Sequence, residues 1–397
     1  MNEVVIVESV RTPIGKLGGA LSSELVDFLA AKVIKEVLHR AKLDPNAVSE
    51  VIMGQAKQSA DSSNLARLSL LRAGLPVHIP GYTIHRQCGS GLQSINTADM
   101  QIKLGLSDVV IAGGAESMST APYYLRNARY GYGAGNGLLL DPNTESQPYS
   151  QPIEDYGHLT MGATAENIAK KYKIDRLEQD EFALRSQELA RKAIEKGVFL
   201  KEIVPYEVKR KKDVFLFETD EHPRHTTMEK LSALKPVFQT DGTVTAGNAS
   251  GRNDAASAVL MMNKTIAMEK GFVPKAKIIG QASSGVAPDI MGIGPVSSTI
   301  KALEMCHLTI DDIGLIELNE AFSAQALAVI KELHLDIEKV NVNGGAIALG
   351  HPIGATGAIL TTKLLHEMER RGEKYGLVTL CIAGGQGITT IFENLQV

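Results

Sequence analysis

The chain contains no tryptophan and just 3 cysteines, Cys88, Cys306 and Cys381. Three thiols far apart make no disulfide framework, and they point to a reducing compartment. No apolar run reaches the roughly 18 residues needed to span a bilayer. The N-terminus has no basic segment leading into an apolar one. Asn2 and Glu3 run directly into Val4-Val5-Ile6-Val7, a strand pattern, so no secretory signal is expected. Leu395-Gln396-Val397 is not a peroxisomal address. Neither sign of charge is in excess: 41 Lys and Arg stand against 45 Asp and Glu, a net charge of −4. That balance gives no field for nucleic acid or an anionic membrane, although a local basic patch remains open to a phosphorylated ligand. A soluble cytoplasmic protein is expected.

What is present is an ordinary globular composition, 44% hydrophobic and 22% charged. A length of 397 residues exceeds what one core supports, so two or three domain-sized units are expected. Strand-like apolar runs alternate with helix-length amphipathic stretches, which reads as an α/β fold. Strands are expected at 4–7, 51–54, 109–113, 258–262, 315–318 and 377–382. Helices are expected at 23–41, 90–104, 164–172, 177–196, 297–305, 323–333 and 357–371. The chain also hints at an internal duplication. An acid-bearing loop ending at Val48 precedes Val51-Ile52-Met53-Gly54. A similar loop ending at Ile313, 265 positions later, precedes Leu315-Ile316-Glu317-Leu318. The same offset carries Cys88 to position 353, two past His351. Gly113-Gly114 is echoed by Gly384-Gly385. Residues from about 120 to 245 differ in character, with a Tyr, Gly and Arg-rich stretch at 126–137, a polar Pro-bearing loop at 141–152 and a charged turn at 209–213. They read as an insertion on the first copy.

Four segments carry candidate chemistry. In His85-Arg86-Gln87-Cys88-Gly89-Ser90-Gly91, a cysteine stands where a helix begins. The helix dipole and unpaired N–H groups there favour a thiolate, and two glycines leave room for a substrate carbonyl. A buried cysteine at a tight junction is the competing interpretation. In Asn343-Gly344-Gly345 through Gly350-His351-Pro352-Ile353-Gly354, a histidine is presented by a constrained loop. It can take a thiol proton or donate to an oxyanion, or simply cap a turn. Cys381, before Ile382-Ala383-Gly384-Gly385, can serve as a base or be strand-end packing. Asn319, in Glu317-Leu318-Asn319-Glu320-Ala321-Phe322, can hold a water or an oxyanion, or cap the next helix.

Taken together these segments resemble the thiolase family. The matching blocks, in family order over nearly the whole chain, are Arg11-Thr12-Pro13-Ile14-Gly15, Gln87-Cys88-Gly89-Ser90-Gly91-Leu92-Gln93, Ala112-Gly113-Gly114-Ala115-Glu116-Ser117-Met118, Met161-Gly162 with Thr164-Ala165-Glu166-Asn167, Gly242 to Gly251, Asn319-Glu320-Ala321-Phe322, and the His351 and Cys381 blocks. The resemblance implies an α/β thiolase fold, two similar halves in five αβαβα layers with an inserted loop domain. The halves would be 1–267, with the insertion, and 268–397. It implies that Cys88 is the nucleophile, that His351 activates it, and that Cys381 does acid/base work at the α-carbon of the second acyl-CoA. Asn319 would hold the water that, with His351, binds the enolate oxygen. The backbone N–H groups of Cys88 and Ala383 would form a second oxyanion hole. Ala246 and Ser250 would contact pantetheine, and Met161, Met291 and Phe322 would line the acyl pocket. No metal or cofactor is implied, coenzyme A being substrate and product, and members are homodimers or homotetramers.

The chain departs from the family pattern at His85 (usually Asn), Thr160 (often His), Lys235 (often Arg), Ala255 and Ala383 (usually Gly). The first two are expected to affect the acyl pocket or pantetheine end, and Ala383 to constrain its turn. Three functions remain open at this point. They are an acetyl-CoA C-acetyltransferase joining two acetyl-CoA or running in reverse, a degradative 3-ketoacyl-CoA thiolase, and a thiolase-like protein that binds acyl-CoA or lipid without turnover. Loss of a reactive residue would favour the last, and all are present. Met161-Gly162 favours the first.

Overall fold

The computed structural model describes residues 1–210 and 213–397, so Lys211 and Lys212 of the charged turn lie outside the described residues. Its main sheet has ten strands. Nine form a continuous path: β1 (Val4–Arg11), β2 (Glu50–Gly54), β3 (Gly81–Ile84), β4 (Val109–Ser117), β5 (Asn253–Asn263), β6 (Ala276–Gly285), β7 (Leu315–Leu318), β8 (Tyr375–Ile382) and β9 (Gln386–Asn394). Their order is β7-β8-β9-β6-β1-β5-β4-β2-β3, and the short strand Gly15–Lys16 pairs with β5.

This order is one unit written twice. In the first half β1 is antiparallel to β5 and β5 to β4, while β4 is parallel to β2 and β2 to β3. In the second, β6 is antiparallel to β9 and β9 to β8, while β8 is parallel to β7. A parallel bridge between Ile316 and Val340 stands where a fifth strand would continue the series. The two sets join through one residue pair, Ile6 opposite Ala276. The 265-residue offset maps β2 onto 315–319 and β4 onto 374–382, where β7 and β8 lie. The glycine echo does not survive: Gly113-Gly114 lie within β4, whereas Gly384-Gly385 form the turn after β8.

The main helices are α1 (Val26–Ala41), α2 (Ser90–Lys103), α3 (Met161–Tyr172), α4 (Arg176–Glu195), α5 (Gly294–Cys306), α6 (Ser323–Glu332) and α7 (Thr356–Arg371). Leu92 and Ile95 of α2 and Leu360 and Leu364 of α7 share one core with Val110 and Val259 of the first half and Val378 and Ile388 of the second. These two helices are the middle layer. Leu29, Val33 and Val37 of α1 cover the outer face of the first sheet. Ala302 and Leu303 of α5 and Val329 of α6 cover that of the second. Each fully buried Val or Leu in these layers contributes roughly 1.5–3 kcal/mol. The middle helices approach closely because they cross at glycines. A Cβ on Gly91 would lie 2.9 Å from the Ala358 nitrogen, and one on Gly357 would lie 2.3 Å from that of Leu92.

The expected strands and helices are all present, with shifted ends. The helix expected from 23 begins at Val26. The one expected at 177 begins at Arg176, because Asp175 and Glu178 form a reciprocal capping box. The strand expected at 258–262 is the centre of the longer β5. Strands β3, β6 and β9 were not foreseen.

Between β4 and β5 the chain carries α3, α4 and two small hairpins, Tyr124–Leu125 with Leu139–Leu140 and Tyr206–Arg210 with Asp213–Phe217. Arg11, at the end of β1, fastens this segment to the sheet. Its fully buried guanidinium donates to Glu202 at 2.7 Å and to both oxygens of Asp220 at 2.8 and 2.9 Å. Arg11→Met would strand two buried carboxylates and is expected to cost roughly 3–5 kcal/mol. Urea unfolding checks this, and a loss below about 1 kcal/mol would remove the anchoring role.

Candidate active site

Cys88 lies between β3 and α2. The preceding residue, Gln87, has φ of +45°, a left-handed conformation rare for a side chain of this kind. The turn is held by its own bonds: the Arg86 N–H donates to Ser90 Oγ at 2.9 Å, and that hydroxyl donates to the Gln87 carbonyl at 2.6 Å. The adjoining glycines serve packing rather than substrate access. A Cβ on Gly89 would lie 2.6 Å from Ile382 Cδ1, and Gly91 faces α7.

The expected thiolate is also corrected. Burial pushes the Cys88 thiol up to about 11, although the N–H groups of Ala383 and Cys88 itself and the Lys57 ammonium favour the anion. Desolvation outweighs the donors at the helix start. Cys88 therefore rests as a neutral thiol.

His351 lies in the same cavity as Cys88. Glu116 holds its loop, accepting N–H bonds from Gly354 at 2.8 Å and from Ala56 and Lys57 at 3.0 and 3.1 Å. The loop of the second half is thereby pinned to the first. Asn253 accepts the His351 N–H at 2.9 Å and donates to the Gly15 carbonyl at 3.0 Å. His351 Nδ1 lies 2.7 Å from Thr356 Oγ1, and that hydroxyl donates to the Pro352 carbonyl at 2.9 Å. A hydroxyl has one hydrogen to give. Nδ1 is then the donor to Thr356, which leaves the lone pair on Nε2. Nε2 is buried with no protein partner. Burial pushes the imidazole down to about 4, so it is neutral at pH 7.

Cys381 sits near the carboxyl end of β8. The chain turns into β9 through Ala383-Gly384-Gly385, with positive φ of +86° and +82° at the two glycines. Ala383 is not among the positive-φ residues, so its methyl group imposes no strain on the turn. Burial pushes the Cys381 thiol above its ordinary range, and the neighbouring Cys88 adds to the shift.

Cys88 and Ala383, from opposite halves, line one cavity of about 180 Å³ with His351, Cys381, Ser250, Met161, Met291 and Phe322. Asn319 is not on the cavity wall, although Ala321 and Phe322 are. It does not cap α6, whose N-cap is Phe322. Its side chain is fully buried, and neither its Nδ2 nor its Oδ1 has a protein partner. Such an amide requires a partner, and an ordered water fits that requirement. Ala246 is exposed and off the cavity.

The repeat visible in the strand order has a counterpart in known families. The model described as "Thiolase, N-terminal domain" matches residues 4–265, and "Thiolase, C-terminal domain" matches 272–394. The chain belongs to the thiolase family. It is 49% identical to an acetyl-CoA acetyltransferase of Escherichia coli (strain K12), covering 100% of both chains. The structure is similar to that of Bacillus anthracis acetyl-CoA acetyltransferase, with a TM-score of 0.97, 49% identity and coverage of 100% of this chain and 99% of that one. It is also similar to human mitochondrial 3-ketoacyl-CoA thiolase in complex with CoA, with a TM-score of 0.94, 44% identity and coverage of 99% and 98%.

In this thiolase the 242–251 loop is shaped by Glu166, whose carboxylate accepts the Thr243 and Val244 N–H groups at 2.9 and 2.8 Å. The Ser250 N–H donates to the Ala321 carbonyl at 3.0 Å, which places the loop beside Phe322. Neither His85 nor Thr160 lines the cavity. His85 is exposed, and Thr160 Oγ caps α3 by accepting the Ala163 N–H at 3.2 Å.

Several contributors escaped the sequence reading. Phe238 stacks edge-on against Phe322, ring centroids 6.2 Å apart, and sits where a Cβ on Gly162 would be 2.2 Å from its ring. Thr356 orients His351. Gln147 accepts the Met161 N–H at 3.0 Å. Lys57, just beyond β2, could have been suspected because sites in α/β sheets gather at the carboxyl ends of parallel strands. Among the described residues no group of three or more His, Cys, Asp or Glu is arranged to hold a metal. No helix there is long and apolar enough to cross a membrane.

Proposed function

We propose that this thiolase is an acetyl-CoA C-acetyltransferase that joins two acetyl-CoA into acetoacetyl-CoA and CoA, or runs the reverse thiolysis. The observation that carries this reading is the meeting of two thiols and a neutral imidazole in one small cavity. Nε2 of His351 takes the Cys88 proton as sulfur attacks the first thioester, and returns it to the departing CoA sulfur. The product is acetyl-Cys88. Cys381 gives its proton to His351 and, as thiolate, takes the α-proton of the second acetyl-CoA. The resulting enolate oxygen is stabilised by the Nε2–H and a water on Asn319. Its carbon attacks acetyl-Cys88, whose carbonyl oxygen is held by the N–H groups of Cys88 and Ala383. Cys88 leaves and recovers its proton from His351. Every group returns to its starting state, and the kinetics are ping-pong.

The acyl group rests against Met161, Met291 and Phe322, and pantetheine passes Ser250 and Ala246. No cofactor is called for beyond coenzyme A itself. We assign the halves to 1–267 and 268–397. A homodimer or homotetramer is supported by the exposed apolar side chains of Tyr130, Leu138 and Leu139. A cytoplasmic setting, with neither nucleic acid nor membrane as partner, fits the three free thiols and the balanced charge. Thiolysis of acetoacetyl-CoA is expected to exceed that of 3-ketohexadecanoyl-CoA in kcat/KM by about 10-fold or more, because the walls around the acyl group are close and bulky. Comparable values would favour the degradative 3-ketoacyl-CoA thiolase.

A further inference from the structure

The reaction as derived leaves one amine in the cavity without a task. Lys57 is 8% exposed and lines the same space of about 180 Å³ as Cys88. Its ammonium donates to the Pro142 carbonyl at 3.1 Å and to Ser146 Oγ. Both are neutral oxygens, which hold the nitrogen without fixing its charge. The neighbouring carboxylates are engaged elsewhere. Glu116 accepts the N–H groups of Ala56, Lys57 and Gly354. Asp141 accepts that of Asn143 and lies 3.8 Å from Arg252. Among the described residues no carboxylate lines the cavity. Burial pushes the Lys57 amine down from its ordinary range, against the pull of Glu116, Cys88 and Asp141. Acylation of Cys88 removes one of those three, because an acylated sulfur carries no charge. A buried lysine that gives up its proton is a nucleophile on a flexible four-carbon stem.

We infer that Lys57 is an internal acyl acceptor: its Nζ takes the acyl group from Cys88 when no second substrate arrives, which makes Lys57 a site of self-acylation. This rests on the acyl-transfer reading above. The ammonium first gives one proton to solvent. The amine nitrogen then attacks the thioester carbon, a C–N bond forms and the C–S bond breaks. Sulfur leaves with the electron pair and takes a second proton from nitrogen, so Cys88 is again a thiol. The product is an amide on Lys57, which the thiol of CoA does not cleave. Each transfer therefore leaves an acetyl group in the cavity and removes the Lys57 charge from it.

The test incubates the whole protein with acetyl-CoA for hours and then treats it with neutral hydroxylamine, which removes thioesters and leaves amides. Mass spectrometry should find a hydroxylamine-resistant acetyl group on Lys57, formed at least about 10-fold faster than on any exposed lysine. Its rate should level off as acetyl-CoA rises, in step with the occupancy of Cys88, and Cys88→Ser should abolish it. Acetylation of Lys57 no faster than that of exposed lysines overturns the inference. A rate that keeps rising after Cys88 is saturated, or that persists in Cys88→Ser, also overturns it, since the amine would then take the group from acetyl-CoA directly. A hydroxylamine-labile acetyl group on Cys88 with Lys57 unmodified defeats this inference alone. Absence of that thioester defeats the acyl-transfer reading and this inference with it.

Discussion

Replacing Cys381 with alanine is expected to leave acetylation of Cys88 intact and to slow condensation by orders of magnitude. The first half-reaction needs a nucleophile, a base and a carbonyl donor set, which in the proposed cycle are Cys88, His351 and the N–H groups of Cys88 and Ala383. The second needs a base at carbon. Burial raises the Cys381 thiol above its ordinary range, which makes its thiolate a stronger base once formed. Positioned proton transfer is worth about 10²–10⁴ in rate. Formation of acetoacetyl-CoA should fall by that factor, while radiolabelled acetyl-CoA still marks the protein. Lost labelling with condensation intact would exchange the roles of the two cysteines.

The second large effect is expected from Cys88→Ser. The change keeps the shape of the turn and the Ser90 bonds that hold it, but puts an alkoxide-forming group where a thiol was needed. Thiols form their anion far more readily than alcohols. His351, pushed down to about 4, is too weak a base to ionise a buried serine. Acetoacetyl-CoA thiolysis should drop by at least about 10³-fold with the melting temperature little changed. A fall of less than about 10-fold would mean that the acyl group travels by another atom.

The α/β layering and the repeat were legible because β2 and β7, and β4 and β8, are mostly apolar strands at one offset, broken within β7 by Glu317. Strand β9 was not. Its Thr389 and Thr390 look exposed on paper but are fully buried. The Thr389 hydroxyl is satisfied by Thr379, Ser298 and Thr299 at 2.7, 2.8 and 3.0 Å. Polar residues that pair with one another across elements leave no apolar pattern to read. Strand β3 is four half-buried residues beginning with Gly81, too short to show a period.

In the site, Cys88, His351 and Cys381 stood out because each lies beside glycines at a junction between elements. Their protonation states did not stand out. The helix start argues for a Cys88 thiolate, and burial by the opposite half, which no local motif encodes, argues more strongly against it. The tautomer of His351 depends on Thr356, and Lys57 enters the cavity through tertiary packing. The glycines around Cys88 were legible as necessary, but they admit the second half rather than the substrate.

Cys88 is proposed to carry the acyl group. Mixing the protein with radiolabelled acetyl-CoA, quenching in acid and mapping the peptides tests it most directly. The label should reside on the peptide containing Cys88, approach one per chain, and leave when unlabelled CoA is added. Label on the Cys381 peptide, or none on Cys88 while turnover proceeds, would rule out Cys88 as the carrier.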